Sequence, residues 1–506
     1  MLDHSTKTTL VNQETETLIA QNTSVGSWQL LPYTSPVLPI DAALLRTGKV
    51  LFIAGSGNNP ANVNNSSSGS AVLDLNTGTF SRPVIPNDDA GLPIDLFCPG
   101  HSFLPDGRLM VAGGTEQYDP FQGLAAALTF DPIAETWTRV ASMNSGRWYP
   151  TVLTLGDGRI LAVSGRDENG QIDTYPEIYS ESTGWNFFTQ PTSRIPMYAH
   201  LFLLSSGKIF YSGAQMSSNY GVSPRLLTLP TSFTEKIVET PVPGLVSPDS
   251  RNQAASVLLP PAQDQKVLII GGGGSGIGIN SVNIVDLKAA TPTYTAAAPL
   301  NYARMHHSAV LLPDRTVFVC NGSARSEDGA QATRTAEIYN PVTNTWKLAA
   351  TANVVNRVYH SVALLLPDGR VLTAGGNPKR TSQEMRLEIY SPAYMSKPRP
   401  VIVNAPQKVA YGQTFQIETP QGLNIFRVHL IKPMATTHCM DTEQRMVEVR
   451  INSRASTSLS VTLLPNASWT LASQRNLAPP GWYMLSILDN SRVPSVAKWI
   501  QVVPPA

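Results

Sequence analysis

Residues 365–376 read LLPDGRVLTAGG. Two apolar runs flank Asp-Gly, a pair that tolerates the positive φ of a tight hairpin turn. The closing glycines let the second strand lie close to another backbone. The same pattern recurs as LLRTGKVLFIAG (44–55), FLPDGRLMVAGG (103–114), TLGDGRILAVSG (154–165), LLSSGKIFYSG (203–213), PPAQDQKVLIIGGG (260–273) and LLPDRTVFVCNG (311–322). The residue after each turn falls at Lys49, Arg108, Arg159, Lys208, Lys266, Thr316 and Arg370, at intervals of 59, 51, 49, 58, 50 and 54. A strand running into a second turn follows most copies, as in LTFDPIAETW (128–137), EIYSESTGW (177–185) and EIYNPVTNTW (337–346). An aromatic often closes it: Trp137, Trp185 or Trp346.

A glycine-bearing hairpin with an aromatic outer strand, repeated about every 50 residues, is the kelch pattern, one four-stranded blade per copy. Seven copies predict an all-β chain built on a seven-bladed kelch β-propeller over residues 28–395, after an N-terminal extension of 1–27. Beyond Ser396 the pattern changes. About seven short alternating strands in the last 110 residues, among them QTFQIETP, FRVHLIKP and GWYMLSIL, predict an immunoglobulin-like β-sandwich over 396–506.

Composition narrows the function. The 506 residues carry a net charge of +1, and 14% are charged, against about 25% in an average soluble protein. No basic stripe is present to contact phosphates, so nucleic acid is not expected as a partner. No apolar run is long enough to span a bilayer. The opening residues lack the basic start and apolar stretch of a secretory signal, which leaves the compartment open. A monomer is expected. Three cysteines, Cys98, Cys320 and Cys439, are too few and odd in number for a disulfide scaffold.

Propellers work at the mouth of the central channel, so reactive side chains just before the hairpins are the candidates. Cys98, Tyr149 and His360 each lie 10 residues before their post-turn arginines, at 108, 159 and 370, and Tyr359 lies one further out. Equivalent positions face the same end of one axis, so periodicity alone gathers a thiol, a phenol and a Tyr-His pair. Ideal strand neighbours point to opposite faces. Tyr359 and His360 can therefore share a point only where the backbone is irregular. Buried cysteine and strand tyrosine are also common without function.

These segments resemble the copper radical oxidases, the family of galactose oxidase and glyoxal oxidase. FCPG (97–100) resembles the motif of the cross-linked cysteine, RVYHS (357–361) that of the axial tyrosine and first histidine, and RWYPT (147–151) the glyoxal oxidase form of the cross-linked tyrosine motif. MATTHCMDTEQR (434–445) resembles the sandwich loop bearing the second histidine. The resemblance implies a copper site with Tyr149, His360 and His438 equatorial and Tyr359 axial. It further implies a Cys98–Tyr149 thioether as a radical cofactor. Imidazole and phenolate donors suit Cu(II). The activity implied is oxidation of aldehyde hydrates or primary alcohols by O2, with release of hydrogen peroxide.

The resemblance has departures. Galactose oxidase stacks a tryptophan over its thioether, and the corresponding hairpin here carries Arg166 and Asp167. Trp148 is the candidate to shield the radical and line the substrate pocket, with a core aromatic as the alternative. Arg194 aligns by its spacing with an arginine that contacts sugar in galactose oxidase, against a solvated arginine. His306 and His307 lie at a comparable mouth position; lining the pocket is one reading, and packed or exposed histidines are the preferred one. Cys320 and Cys439 are read as structural thiols, and His101 and His200 lack a partner motif. The competing function is a copper-free kelch module for adhesion or carbohydrate binding. A sialidase-type hydrolase is a weaker option, because no arginine cluster with a paired carboxylate site is evident.

Overall fold

In the computed structural model, residues 25–216, 221–325, 327–351, 355–379 and 382–505 are described. Most of the expected N-terminal extension lies outside them. Seven sheets stand in sequence around one axis. Their innermost strands are Asp41–Leu44, Gly100–Phe103, Thr151–Thr154, Leu201–Leu203, Ala255–Leu258, Met305–Leu311 and Ser361–Leu365. Each is hydrogen-bonded outward in antiparallel order. The ring closes across the termini: Ser27–Thr34 pairs with Arg386–Ser391 as the outer strand of the seventh blade. Trp28 secures this closure, its ring tilted against Tyr390 at 5.2 Å and its indole N–H donated to the Ala350 carbonyl at 2.8 Å.

The Asp-Gly-Arg triplets have a local cause. Gly107, Gly158 and Gly369 hold φ of +94°, +88° and +90°. Asp106, Asp157 and Asp368 each accept the N–H of the arginine two residues on, at 2.9, 3.1 and 2.9 Å. The aspartate thus mimics a backbone turn. Where glycine is absent, Arg315 and Gln265 take up the positive φ instead, at +74° and +55°.

A second repeat lies inside the blades. Arg147, Arg304 and Arg357 are each at most 2% exposed. Arg304 donates to the Asn321 and Thr335 carbonyls at 3.2 and 3.0 Å and to Glu337 at 2.8 Å. Arg147 does the same with Ser164, Tyr175 and Glu177, and Arg357 with Gly375, Arg386 and Glu388. Arg251 repeats the contact with Asn283 in place of glutamate. Each arginine ties the loop before an inner strand to the two strands outside it.

The C-terminal unit is the expected immunoglobulin-like sandwich. Its strands run in the order Lys408–Ala410, Lys498–Val503, Gly481–Asp489, Ile425–Ile431, Met446–Arg454, Ser458–Thr462 and Thr414–Glu418. The long strand Met446–Arg454 serves both halves, pairing with Ile425–Ile431 on one side and Ser458–Thr462 on the other, across a register shift between Ile451 and Ser453. One α-helix of the described residues, Leu471–Leu477, interrupts this β-unit, N-capped by Thr470. No helix among the described residues is long and apolar enough to cross a membrane.

One feature of the sandwich positions the site. Its hairpin, Ala435–Thr437 with Met440–Asp441, leaves its own unit and pairs with Asp41–Ala43, the innermost strand of the first blade, making that sheet six-stranded.

The buried Arg304–Glu337 pair yields a test of the blade interior. Replacing Glu337 with alanine strands a guanidinium with 0% side-chain exposure. The substitution should lower apparent stability to denaturant by about 3–5 kcal/mol. A loss below about 1 kcal/mol would show that the pair does not hold the blade.

Candidate metal centre

The loops before the inner strands share a backbone device. Cys98, Tyr149, Tyr198, Gln253, His306 and His360 have φ of +59°, +63°, +44°, +61°, +59° and +62°. One blade after another therefore turns through the left-handed region at the same place. This conformation is uncommon outside glycine and costs of order 1–3 kcal/mol per residue. Neighbouring blades hold it by backbone bonds: Tyr149 N–H to Cys98 carbonyl at 3.1 Å, Tyr198 N–H to Tyr149 carbonyl at 3.0 Å, and His306 N–H to Gln253 carbonyl at 3.1 Å. The turn also removes the objection to adjacent ligands. At His360 strand alternation fails, and the Tyr359 and His360 rings lie side by side, 3.7 Å apart at 26°.

The inserted hairpin brings His438 to the middle of this ring, itself at φ +54°. Its Nε2 is 3.0 Å from the Tyr149 hydroxyl, which is hydrogen-bonded to the Tyr359 hydroxyl. The His360 and His438 ring centroids are 4.7 Å apart. Cys98 Sγ lies 3.9 Å from His360 Nε2. Ligand atoms of Cys98, His360 and His438 all fall within 4.8 Å of one another. All five residues named from the sequence thus meet at one point. Four are buried and Tyr359 is half-buried.

The donor set fits a metal ion. Each imidazole has its far nitrogen occupied: His360 Nδ1 at 2.5 Å from Asn377 Oδ1 and His438 Nδ1 at 2.7 Å from Thr437 Oγ1. That orients both Nε2 atoms to the centre, as partners behind metal-binding histidines do. Burial pushes His360 down to about 3 and His438 well below the usual histidine range, so both are neutral and free to ligate. Burial, reinforced by Cys98 and Tyr359, pushes Tyr149 well above the ordinary phenol value. Burial, reinforced by Asp41, does the same to the Cys98 thiol. A bound cation reverses this direction for phenols that ligate it.

An aromatic column stands against Tyr149. Trp148 stacks on one side at 3.9 Å and 22°, Tyr198 on the other at 4.5 Å and 19°. Phe121 continues the column beyond Trp148 at 4.1 Å and 4°. The Tyr198 hydroxyl donates to the Pro99 carbonyl at 2.7 Å, beside Cys98. Arg166 exchanges two backbone bonds of 2.8 Å with Trp148, and its guanidinium lies 6.0 Å from the indole. The hairpin position that lacks a tryptophan is therefore adjacent to one supplied from the neighbouring loop.

The remaining candidates fall in several places. Arg194 is exposed, on the loop leading to Tyr198. Cys320 and Cys439 are buried free thiols. His200 bonds Ser256 through Nδ1 at 2.9 Å, and His101 lies 3.5 Å from Asp41. His306 and His307 are packed rather than exposed. Sequence reading passed over Tyr198, although it stands 10 residues before Lys208, in phase with Cys98 and Tyr149.

Comparison with known proteins agrees with this architecture. The family model "Glyoxal oxidase N-terminus" matches residues 58–394, and "Galactose oxidase-like, Early set domain" matches 399–502. Galactose oxidase of Gibberella zeae is 25% identical over 504 residues, covering 92% of this chain and 69% of that protein. Aldehyde oxidase GLOX of Vitis pseudoreticulata is 25% identical over 543 residues, covering 95% of this chain and 97% of that protein. A fungal alcohol oxidase solved in complex with copper shares the fold, with a TM-score of 0.79 at 23% identity over 95% of this chain and all of that one. The chain belongs to the copper radical oxidase family, that of glyoxal oxidase and galactose oxidase.

The buried histidines give the metal-free protein a pH dependence. His200, His306, His360 and His429 are held at about 3, and His307 and His438 well below 6.5. The unfolded chain takes up these protons near pH 6.5 and the folded chain does not, so stability falls as pH drops from there toward 3. Asp41, Asp95, Asp173, Asp314 and Asp441 are shifted upward and act in the opposite sense, but they are fewer, and Glu135, Glu168, Glu239, Glu384 and Glu443, shifted downward, act with the histidines. Metal-free protein should therefore melt at a clearly lower temperature at pH 5 than at pH 7. Equal or higher melting at pH 5 would contradict the neutral, buried histidines.

Proposed function

We propose that this chain oxidises small aldehydes, as their hydrates, or primary alcohols, and passes the electrons to O2. The observation that carries the reading is the convergence of two phenols, two imidazoles and a thiol on one buried point. Tyr149, Tyr359, His360 and His438 would hold copper. When bound, copper supplies a one-electron couple. The hydrate loses two electrons and two protons to become the acid, and O2 gains both to become hydrogen peroxide.

The side chains divide the work. Tyr359, the half-exposed phenol, accepts the substrate hydroxyl proton as general base. Tyr149, oxidised to a radical, takes a hydrogen atom from the substrate carbon and supplies the second electron equivalent. A thioether from Cys98 donates density into that ring and lets the radical persist. Its formation removes the thiol hydrogen and one ring hydrogen, and O2 takes the two electrons and two protons. Trp148 and Tyr198 cover the two faces of the ring and keep water from it. Arg194, exposed near Tyr198, is assigned to polar groups of the substrate, and the chain is proposed to act as a monomer.

Two measurements test this. Copper-treated protein should lose about 2 Da in intact mass relative to metal-free protein, and Cys98→Ala should abolish the loss. The same protein should release peroxide with methylglyoxal or a related aldehyde. An unchanged mass, with no peroxide across aldehydes, alcohols and sugars, would favour the copper-free adhesion module.

A further inference from the structure

His306 stands one blade before His360 in the ring of left-handed residues and takes no part in the ligand set above. It is 3% exposed. Both its ring nitrogens are buried without a hydrogen-bond partner among the described residues. An unmet buried polar atom costs about 1–3 kcal/mol, and such atoms in native structures call for an explanation. The ring meets Tyr359 edge-on, with centroids 5.4 Å apart at 66°. His307 has the same unpartnered ring nitrogens but a different place: its side chain packs inside the blade, where a Cβ at Gly271 would come within 3.0 Å of its Cε1. Of the two consecutive histidines, His306 alone meets the half-buried phenol. Gln253, whose carbonyl accepts the His306 N–H, adds another buried polar atom without a partner, Oε1.

We propose that His306 recognises the second hydroxyl of an aldehyde hydrate bound before Tyr359, and so selects hydrates over primary alcohols. The inference rests on the oxidase reading above and assigns its substrate preference to one residue. A hydrate carries two hydroxyls on the reacting carbon. Tyr359 takes the proton of one, and the other is buried with the substrate and needs a partner. A neutral imidazole has one N–H donor and one acceptor nitrogen, so it serves a hydroxyl in either role. A primary alcohol presents a hydrogen at that place and leaves the imidazole unmet. Sites with buried polar groups of this kind discriminate strongly against the analogue that lacks the matching hydroxyl.

The test uses ligands that differ by one hydroxyl: trifluoroacetaldehyde hydrate and trifluoroethanol. Their affinities are read by fluorine NMR on zinc-loaded protein, where no turnover occurs. Wild-type protein should bind the hydrate about tenfold more tightly than the alcohol. His306→Phe should bring that ratio to about one while leaving the alcohol affinity unchanged, and His306→Gln should keep part of the preference. The ratio of kcat/KM for methylglyoxal over hydroxyacetone, measured on copper-loaded enzyme, should fall in parallel. The unchanged alcohol affinity shows that the variant is folded. An unaltered preference in His306→Phe, or equal weakening of both ligands, overturns the assignment. A hydrate preference that depends on His306 in a protein consuming no O2 would sink the oxidase reading while upholding the recognition by His306.

Discussion

The pairing of Ala435–Thr437 with Asp41–Ala43 is the contact on which the rest of the site depends. The propeller repeat brings Cys98, Tyr149, Tyr359 and His360 to the axis, but the second imidazole comes from the other domain. Three residues of strand pairing carry His438 there. The segment MATTHCMDTEQR is polar and yet buried, and the surrounding blades explain how. Glu443 pairs with Lys432 at 2.5 Å and accepts from Ser102 and Thr154. Gln444 exchanges bonds with the Leu311 N–H at 3.0 Å and the Ala309 carbonyl at 2.8 Å. Asp441 Oδ1 accepts the N–H groups of Glu443 and Gln444, each at 2.8 Å. Each of these side chains meets at least one partner, and of the Asp441 carboxylate only Oδ2 is left without one among the described residues, so the hairpin enters the channel with most of its polar groups paired.

Much of the fold was legible because its signals are local. An Asp-Gly-Arg turn is set by four neighbouring residues, and repetition does the rest. The ten-residue phase located Cys98, Tyr149 and His360 for the same reason: blade geometry converts a sequence interval into a direction. The left-handed turn that presents them was not legible. Nothing in Trp-Tyr-Pro or Tyr-His-Ser marks a positive φ, and at Tyr149 the conformation is held by backbone bonds to the blades on either side. The buried arginines escaped notice too, although Arg147, Arg251 and Arg304 each stand two residues before a left-handed position. Their partners are carbonyls and carboxylates on strands up to 33 residues away, a separation that no local pattern displays. The helix Leu471–Leu477 and the six-stranded first blade belong with these long-range outcomes.

The stacked tryptophan shows how a departure in sequence can be met in space. Arg166 and Asp167 occupy the hairpin where the resemblance called for an indole. In space the gap closes, because Trp148 and Arg166 are bridged by two backbone bonds and the Trp148 ring faces Tyr149. A neighbouring loop supplies the same ring from another place in the chain. The opposite face is covered by Tyr198, whose hydroxyl is tied to Pro99. The column Phe121–Trp148–Tyr149–Tyr198 thus fixes the plane of the Tyr149 ring from both sides. A ring held in this way cannot rotate out of reach of Cys98.

Charge balance ties the site to the composition of the whole chain. Only 14% of residues are charged, and the imidazoles about the centre are neutral. The inner-strand carboxylate Asp41 is pushed upward by burial and lies 3.5 Å from His101. The buried charges of the inserted segment, Lys432 and Glu443, are paired with each other and do not offset an ion with excess charge, and burying such an ion unpaired would be costly. A dication held by two phenolates and two neutral imidazoles carries no net charge. This donor set matches what a low-dielectric channel can accommodate. The same burial that pushes the Tyr149 phenol upward in the metal-free chain makes its proton loss depend on the metal. In the proposed site, metal binding and loss of the Tyr149 proton are therefore coupled, and neither is favourable alone.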